Sequence, residues 1–306
     1  MNGISKISYP SDAVGSTVIL GCFDGVHIGH RALFCAASEL SSRLGTKIIV
    51  VSFEEPPAFS LSADGGKLLT DTVERSKIFS ALGADDVVYL RFSEVRDMSA
   101  EDFISSVLVE RLGARAVVCG YNFTFGKNKS GNADTLRSAF GNNISVCEPV
   151  MFEGEPVSSS RIRNEICLGN VDKAEKMLGR PYSLSGITFH GRGDGTKLGF
   201  ATANIFPNEK KALPAPGVYA VRVEISDDGR TFDAVADAGY APTLDSTGKY
   251  RIEAHLFDFS ESLYDKHLKI SFFEKIRSEK KFSSSGELAA QIALDTERAK
   301  AFFATH

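Results

Sequence analysis

The chain has no tryptophan among its 306 residues, only four methionines and only five cysteines. Cys22, Cys35, Cys119, Cys147 and Cys167 form no CxxC pair and no even-numbered framework. Four of the five lie in or beside apolar runs and read as small buried hydrophobes of a reducing compartment. No apolar run reaches the roughly 20 residues that a membrane helix needs. The opening stretch, MNGISKISYPSD, lacks a basic start followed by a long apolar segment, so no secretory leader is expected. A cytoplasmic protein without a membrane partner follows. Basic excess is missing too. Lys and Arg total 35 against 39 Asp and Glu, a formal net charge of -4, which argues against a nucleic-acid partner. GxxxxGK[ST] occurs nowhere, so the chain holds no P-loop. No internal repeat is visible.

What remains is an ordinary globular composition, 43% hydrophobic and 24% charged. The length suits two domains of roughly 150 residues. In the first half, β-branched runs at 17–23, 47–53, 86–92, 115–120 and 143–148 alternate with helical spacing over 32–44, 72–82 and 100–112. That alternation predicts an α/β domain, a Rossmann-like parallel sheet with helices on both faces. Residues 158–182 read as helical with a break at Gly169. Beyond them come strand candidates at 183–190, 217–226, 231–239, 250–259 and 267–273, separated by turn clusters such as SDDGR and DSTGK. They predict a small antiparallel β-barrel, followed by a C-terminal helix with a serine cap candidate. The expected division is therefore 1–157, a helical linker over 158–182, and 183–306.

The segment GCFDGVHIGH, residues 21–30, stands where the first strand ends and the first helix begins. In such sheets, sites form beyond the carboxyl ends of the strands. Three readings compete for His27 and His30. A helix-borne zinc site favours i, i+4 spacing and a third ligand, whereas here the spacing is i, i+3 with no obvious third partner. A structural pair satisfied at a helix start is the plainest reading. The third is phosphate binding, because a helix N-terminus offers free N–H groups and partial positive charge. Gly25 and Gly29 would let a nucleotide approach the backbone, and two imidazoles on one face could donate to a phosphate whose charge grows during displacement.

GCFDGVHIGH resembles the GxFDGxHxGH signature of the nucleotidyltransferase superfamily in the form typical of bacterial FAD synthetases. GYNFTFGKNKSGN (120–132) is similar to that family's second motif, VSSSRIR (157–163) to its VSS[ST]xIR, and LGRPYSLSG (178–186) to the junction opening a riboflavin kinase module. The ordered motifs run from about residue 17 to about residue 297, and the chain is identified as a member of the bifunctional riboflavin kinase/FMN adenylyltransferases. The resemblance implies that riboflavin, FMN and ATP are the substrates and that Mg2+ accompanies ATP. It places His27 and His30 at the ATP phosphates, with Gly21, Phe23, Asp24, Gly25 and Gly29 of the same signature around them. Asn122 would lie near the nucleotide and flavin phosphates. Ser159 and Arg161 would help neutralise the departing pyrophosphate. Attack by the FMN phosphate on the ATP α-phosphorus needs positioning and charge neutralisation rather than a covalent protein intermediate.

HGRGDGTKLGFATANI (190–205) offers a second phosphate-binding candidate, since Gly191, Gly193 and Gly195 could wrap backbone N–H groups around phosphate oxygens. GFATAN is similar to the GFPTAN of riboflavin kinases. That likeness makes Thr202 a magnesium ligand and Asn204 its support, and oxygen donors of this kind suit a hard cation bound with a nucleotide. In YRIEAHLFDF, alternation puts Glu253, His255 and Phe257 opposite Ile252, Ala254 and Leu256. Similarity to ExHLxDF implies that Glu253, pictured facing into the barrel, takes the proton from the ribityl hydroxyl. Three positions depart from the family. Ala201 replaces the proline of GFPTAN, and Asp237 and Ala241 replace the asparagine and arginine of NIGxRPT. These departures leave open an adenylyltransferase whose barrel binds flavin without phosphorylating it, or a flavin-binding regulator.

Overall fold

The computed structural model describes residues 15–60, 66–189, 202–240 and 248–306. The chain divides into two compact units at Ser159/Ser160. Among the described residues, no helix is long and apolar enough to cross a membrane.

The first unit is a five-stranded parallel sheet in the order β3-β2-β1-β4-β5, with β1 at Ser16–Leu20, β2 at Lys47–Phe53, β3 at Asp86–Leu90, β4 at Ala114–Gly120 and β5 at Ile144–Cys147. Consecutive strand residues are buried on opposite faces, as expected for a sheet covered on both sides. Ile19, Ile48, Val50, Ala116 and Val118 pack against Leu33, Phe34 and Ala37 of helix α1 (Ile28–Leu44) and Phe79 of α3 (Thr72–Ala81), which follows the short turn α2 (Pro57–Ser60). Val18, Leu20, Ile49, Val51 and Val117 face the other way, toward Phe103, Val107 and Leu108. Those three sit in Phe103–Arg111, a π-wound segment continuing the turn α5 (Ala100–Asp102); α4 (Phe92–Val95) precedes it. The sequence predicts one helix over this stretch, and the structure widens most of it to i→i+5. Leu136 of α6 (Ala133–Phe140) completes this side. The strand order reverses between β1 and β4, the place where such sheets leave a crevice.

Helices α7 (Ser159–Leu168) and α8 (Val171–Leu178) meet at Gly169, whose φ of 84° and close approach to Lys275 and the Tyr219 hydroxyl leave no room for a side chain. They therefore lie against the barrel rather than free of it. The barrel is closed in the order β10-β11-β12-β9-β8-β13. Its strands are β8 (Tyr182–Phe189), β9 (Thr202–Ile205), β10 (Gly217–Ile225), β11 (Thr231–Tyr240), β12 (Tyr250–Leu256) and β13 (His267–Ser278). Strand β9 was not expected from the sequence; a hairpin of β6 (Met151–Phe152) and β7 (Glu155–Pro156) precedes α7. Ala203, Ile205, Tyr219, Val221, Ala236, Ile252, Ala254 and Phe272 are buried and fill the interior. The outer face carries Val218, Ala220 and Val235, which are covered by Ala299 and Phe302 of the last helix, α9 (Ser285–Phe303). An Arg277–Asp295 ion pair at 2.8 Å fixes that helix to β13.

Candidate active sites

Between β1 and α1 the backbone enters left-handed conformation at Phe23 (φ 54°), Gly25 (φ 83°) and Val26 (φ 41°). Two of these carry side chains that pay strain to be there, a pattern found where surrounding structure over-determines a turn. Phe23 is fully buried, edge-on to His30, Phe34 and Phe79. Its ring lies so close to Gly21 that a Cβ there would come within 2.8 Å. The buried Asp24 carboxylate accepts from the N–H groups of Leu69 (2.9 Å) and Thr70 (3.0 Å), and Gly25 N–H donates to Thr70 Oγ1 (2.8 Å). Phe23, Asp24 and Gly25 thus build the turn and do not line the cleft beside it.

His27 caps α1: its Nδ1 accepts from the His30 N–H at 3.3 Å. The two imidazoles stack with centroids 3.6 Å apart and planes 16° from parallel. A Cβ on Gly29 would stand 3.2 Å from the His27 ring. No acidic residue occupies the first turn of α1, so the positive end of a 17-residue helix faces the cleft uncompensated by its own turn. Among the described residues, no three of His, Cys, Asp or Glu are placed to hold a metal ion.

The cleft, about 840 Å³, opens over the carboxyl ends of β1, β2 and β4. Gly21, His27, Gly29, His30, Asn122 and Ser159 line it. Ser159 Oγ donates to the Asp24 carbonyl at 2.8 Å, tying the end of this unit to the turn. A second part of the wall is apolar and was not foreseen: Phe53, Phe92, Val95, Phe103 and Phe123. Aromatic residues of a pocket carry the same sequence signal as core, and only the quoted FTFG offered a hint. Lys127 and Lys129 stand on the rim in a turn where Asn128 (φ 56°) and Lys129 (φ 58°) are left-handed. The Cys22 thiol opens onto the cleft, yet burial in its walls pushes its pKa up to about 11, with Arg75 opposing the shift. Arg161 lies in α7, in the second unit.

In the barrel, Asn204, Glu253 and Asp237 are directly opposite one another across β9, β12 and β11. Thr202, His255 and Val235 form the next row. Residues opposite each other share a face, and the alternate residues Ile252, Ala254 and Leu256 fill the interior. Glu253 therefore faces outward, not into the barrel as pictured from the sequence. The apolar inside would strand a carboxylate. Glu253 is half-buried, with Arg251 Nη2 3.5 Å from its Oε2. Asn204 is buried, and its Oδ1 meets no hydrogen-bond donor among the described residues. Burial raises the Asp237 pKa, and Glu279 and Glu253 push it the same way against Arg251 and Arg277. Gly191, Gly193, Gly195, Ala201 and Ala241 lie outside the described residues.

Comparison with known proteins matches residues 9–161 to the FAD synthetase family and residues 178–303 to the riboflavin kinase family. Proteins named bifunctional riboflavin kinase/FMN adenylyltransferase are similar over nearly their whole length. The one from Pseudomonas fluorescens is 34% identical, covering 95% of this chain and 94% of its own. The one from Escherichia coli K12 is 33% identical, covering 99% and 97%. A crystal structure described as a macrolide-efflux protein from Streptococcus pneumoniae superposes with a TM-score of 0.87 at 31% identity, covering 96% of this chain and 95% of that one.

Proposed function

The chain belongs to the bifunctional riboflavin kinase/FMN adenylyltransferase family, and on that premise we propose how its two units divide the work. The barrel phosphorylates riboflavin to FMN, and the parallel-sheet unit joins FMN to the adenylyl group of ATP and releases pyrophosphate. The observation that carries the second assignment is the two-part cleft, with a helix N-terminus and stacked imidazoles in one part and an aromatic wall in the other. Anionic phosphates suit the first and a flat flavin ring suits the second.

In the adenylyl-transfer cleft, His27, His30 and the first N–H groups of α1 hold the ATP phosphates, and Asn122 and Ser159 orient the nucleotide and flavin phosphates. An FMN phosphate oxygen attacks the α-phosphorus as the bond to the bridging oxygen breaks and pyrophosphate leaves. Imidazole and backbone donors are pre-aimed at the charge that develops, and no water need reorganise. For Arg161 the role of helping to neutralise the departing pyrophosphate rests on the VSSSRIR resemblance alone.

In the barrel, Asn204 and Thr202 hold a divalent cation bound with ATP, and we propose magnesium. The buried Asn204 Oδ1, without a donor among the described residues, fits a hard oxygen-seeking ion. Such a cation, when bound, supplies charge neutralisation at the transferring phosphoryl group. Glu253, one strand away, accepts the ribityl hydroxyl proton as that oxygen attacks the γ-phosphorus, the bond to the bridging oxygen breaks and ADP leaves. Arg251 Nη2 stands 3.5 Å from Glu253 Oε2 and holds that carboxylate in place.

The protein works in the cytoplasm, where riboflavin and ATP meet. The efflux description belongs to the pneumococcal structure; among the described residues of this chain no helix is long and apolar enough to cross a membrane. The test is chromatography of products from purified protein with magnesium-ATP, given riboflavin in one tube and FMN in another. FMN plus FAD from the first and FAD from the second are expected. Absence of both products from folded protein would overturn the assignment.

A further inference from the structure

Arg75 of α3 is fully buried, yet among the described residues its guanidinium donates to no carboxylate. Its Nη1 donates to the carbonyl oxygens of Cys22 (3.1 Å) and Phe53 (2.8 Å) and to Ser52 Oγ (3.2 Å), its Nη2 to the Glu54 carbonyl (2.7 Å), and its Nε to the Asp71 carbonyl (3.4 Å). The Tyr89 ring lies beside it, 5.1 Å from the guanidinium carbon. A buried charge satisfied only by neutral oxygens is costly. Anchoring α3 would not require it, because α3 already has a capping box between Asp71 and Glu74. The acceptors show what the charge is for. Cys22 follows β1, Phe53 ends β2 and Glu54 comes directly after it. The Cys22 carbonyl also accepts from Ser52 Oγ at 3.0 Å, so one planar fork and one hydroxyl lock the two strand ends together. Beyond Cys22 the chain turns toward His27 and His30. At Phe53 it enters the aromatic wall.

We propose that Arg75 is a positioning residue for adenylyl transfer: through Cys22, Ser52 and Phe53 it fixes the phosphate-binding part of the cleft against its aromatic part. The inference rests on the adenylyl-transfer reading of this cleft. In-line attack requires the FMN phosphate to stand at the α-phosphorus, and that distance is set by how the two parts are spaced. Each substrate can still bind its own part when the spacing relaxes, so the loss falls on turnover rather than on affinity. Arginine suits this task better than lysine, because several carbonyls at different angles are met by one rigid fork.

The experiment measures adenylyl transfer, riboflavin phosphorylation and thermal unfolding in the full-length parent and in Arg75→Met, Arg75→Lys and Ser52→Ala. For Arg75→Met the expected result is a kcat for adenylyl transfer lower by about 100-fold, with KM for ATP and for FMN within about threefold of the parent. Riboflavin phosphorylation should not change. Arg75→Lys should recover part of the lost kcat. Ser52→Ala, which removes one of the two donors to Cys22, should lower kcat about fivefold while remaining fully folded. The proposal is overturned if folded Arg75→Met keeps its kcat, if both KM values rise while kcat holds, or if Ser52→Ala is indistinguishable from the parent. Should Arg75→Met fail to fold, Ser52→Ala decides alone. A parent protein that makes no FAD from FMN would defeat the reading of the cleft, and that is seen before any variant is made.

Discussion

The imidazoles of His27 and His30 lie face to face at 3.6 Å, with Gly29 between them in the chain, where an added Cβ would stand 3.2 Å from the His27 ring. Gly29 is in the first turn of α1 and has no left-handed requirement. Gly29→Ala should therefore help the helix by up to about 1 kcal/mol while pushing His27 aside by a few tenths of an ångström. The two effects have opposite consequences. Thermal unfolding should hold or rise, and adenylyl transfer should fall about tenfold, since misplacement of a positioning group costs turnover. Unfolding temperature and FAD formation measured on one preparation check both.

Asn204 permits a similar separation. Its Oδ1 is buried without a donor among the described residues, which costs stability if the residue serves packing alone. Asn204→Leu should leave the fold as stable as before or more so. Riboflavin phosphorylation should drop by about 100-fold or more, as expected when an oxygen on the ATP–metal site is lost, and FAD formation from supplied FMN should not change. Lowered stability with normal phosphorylation would contradict the role assigned to Asn204.

Asp237 stands beside Glu253 on the neighbouring strand, and burial with its acidic neighbours raises its pKa. The sign follows from linkage. The folded state favours the neutral carboxyl, so that contribution to stability is full below the ordinary aspartate pKa, about 3.9, and is lost as pH rises through the raised folded value. Asp237→Asn removes the penalty of ionising there. The variant should match the parent at the acid end and exceed it above that window, by less than about 1 kcal/mol because the side chain still reaches solvent. Unfolding temperatures of both proteins from pH 4 upward test it.

Much of this was legible in the sequence, for physical reasons. The parallel sheet announces itself by β-branched runs alternating with helical spacing, and GCFDGVHIGH sits at the end of β1 because glycine-rich turns there leave the helix start open. Strand β9 was hidden because Thr202–Ile205 is four residues long and lacks a β-branched run. The outward face of Glu253 could not be chosen from period-2 alternation, which separates two faces without saying which one is inside. Phe53 and Phe92 look like core until the cleft is seen. Asp24 belongs to a signature associated with phosphates but spends its carboxylate on Leu69 and Thr70, 45 and 46 residues away. Arg75 reads as an ordinary helix cation, and only its acceptors reveal otherwise.

The central claim, two separate sites acting in series on one flavin, is tested most directly by feeding riboflavin and, separately, FMN to His30→Ala and Glu253→Gln with magnesium-ATP and resolving the products. His30→Ala should turn riboflavin into FMN that accumulates, with FAD absent from both feeds. Glu253→Gln should leave riboflavin untouched yet convert supplied FMN to FAD at the parent rate. FAD from riboflavin in Glu253→Gln, or loss of riboflavin phosphorylation in folded His30→Ala, would contradict the account.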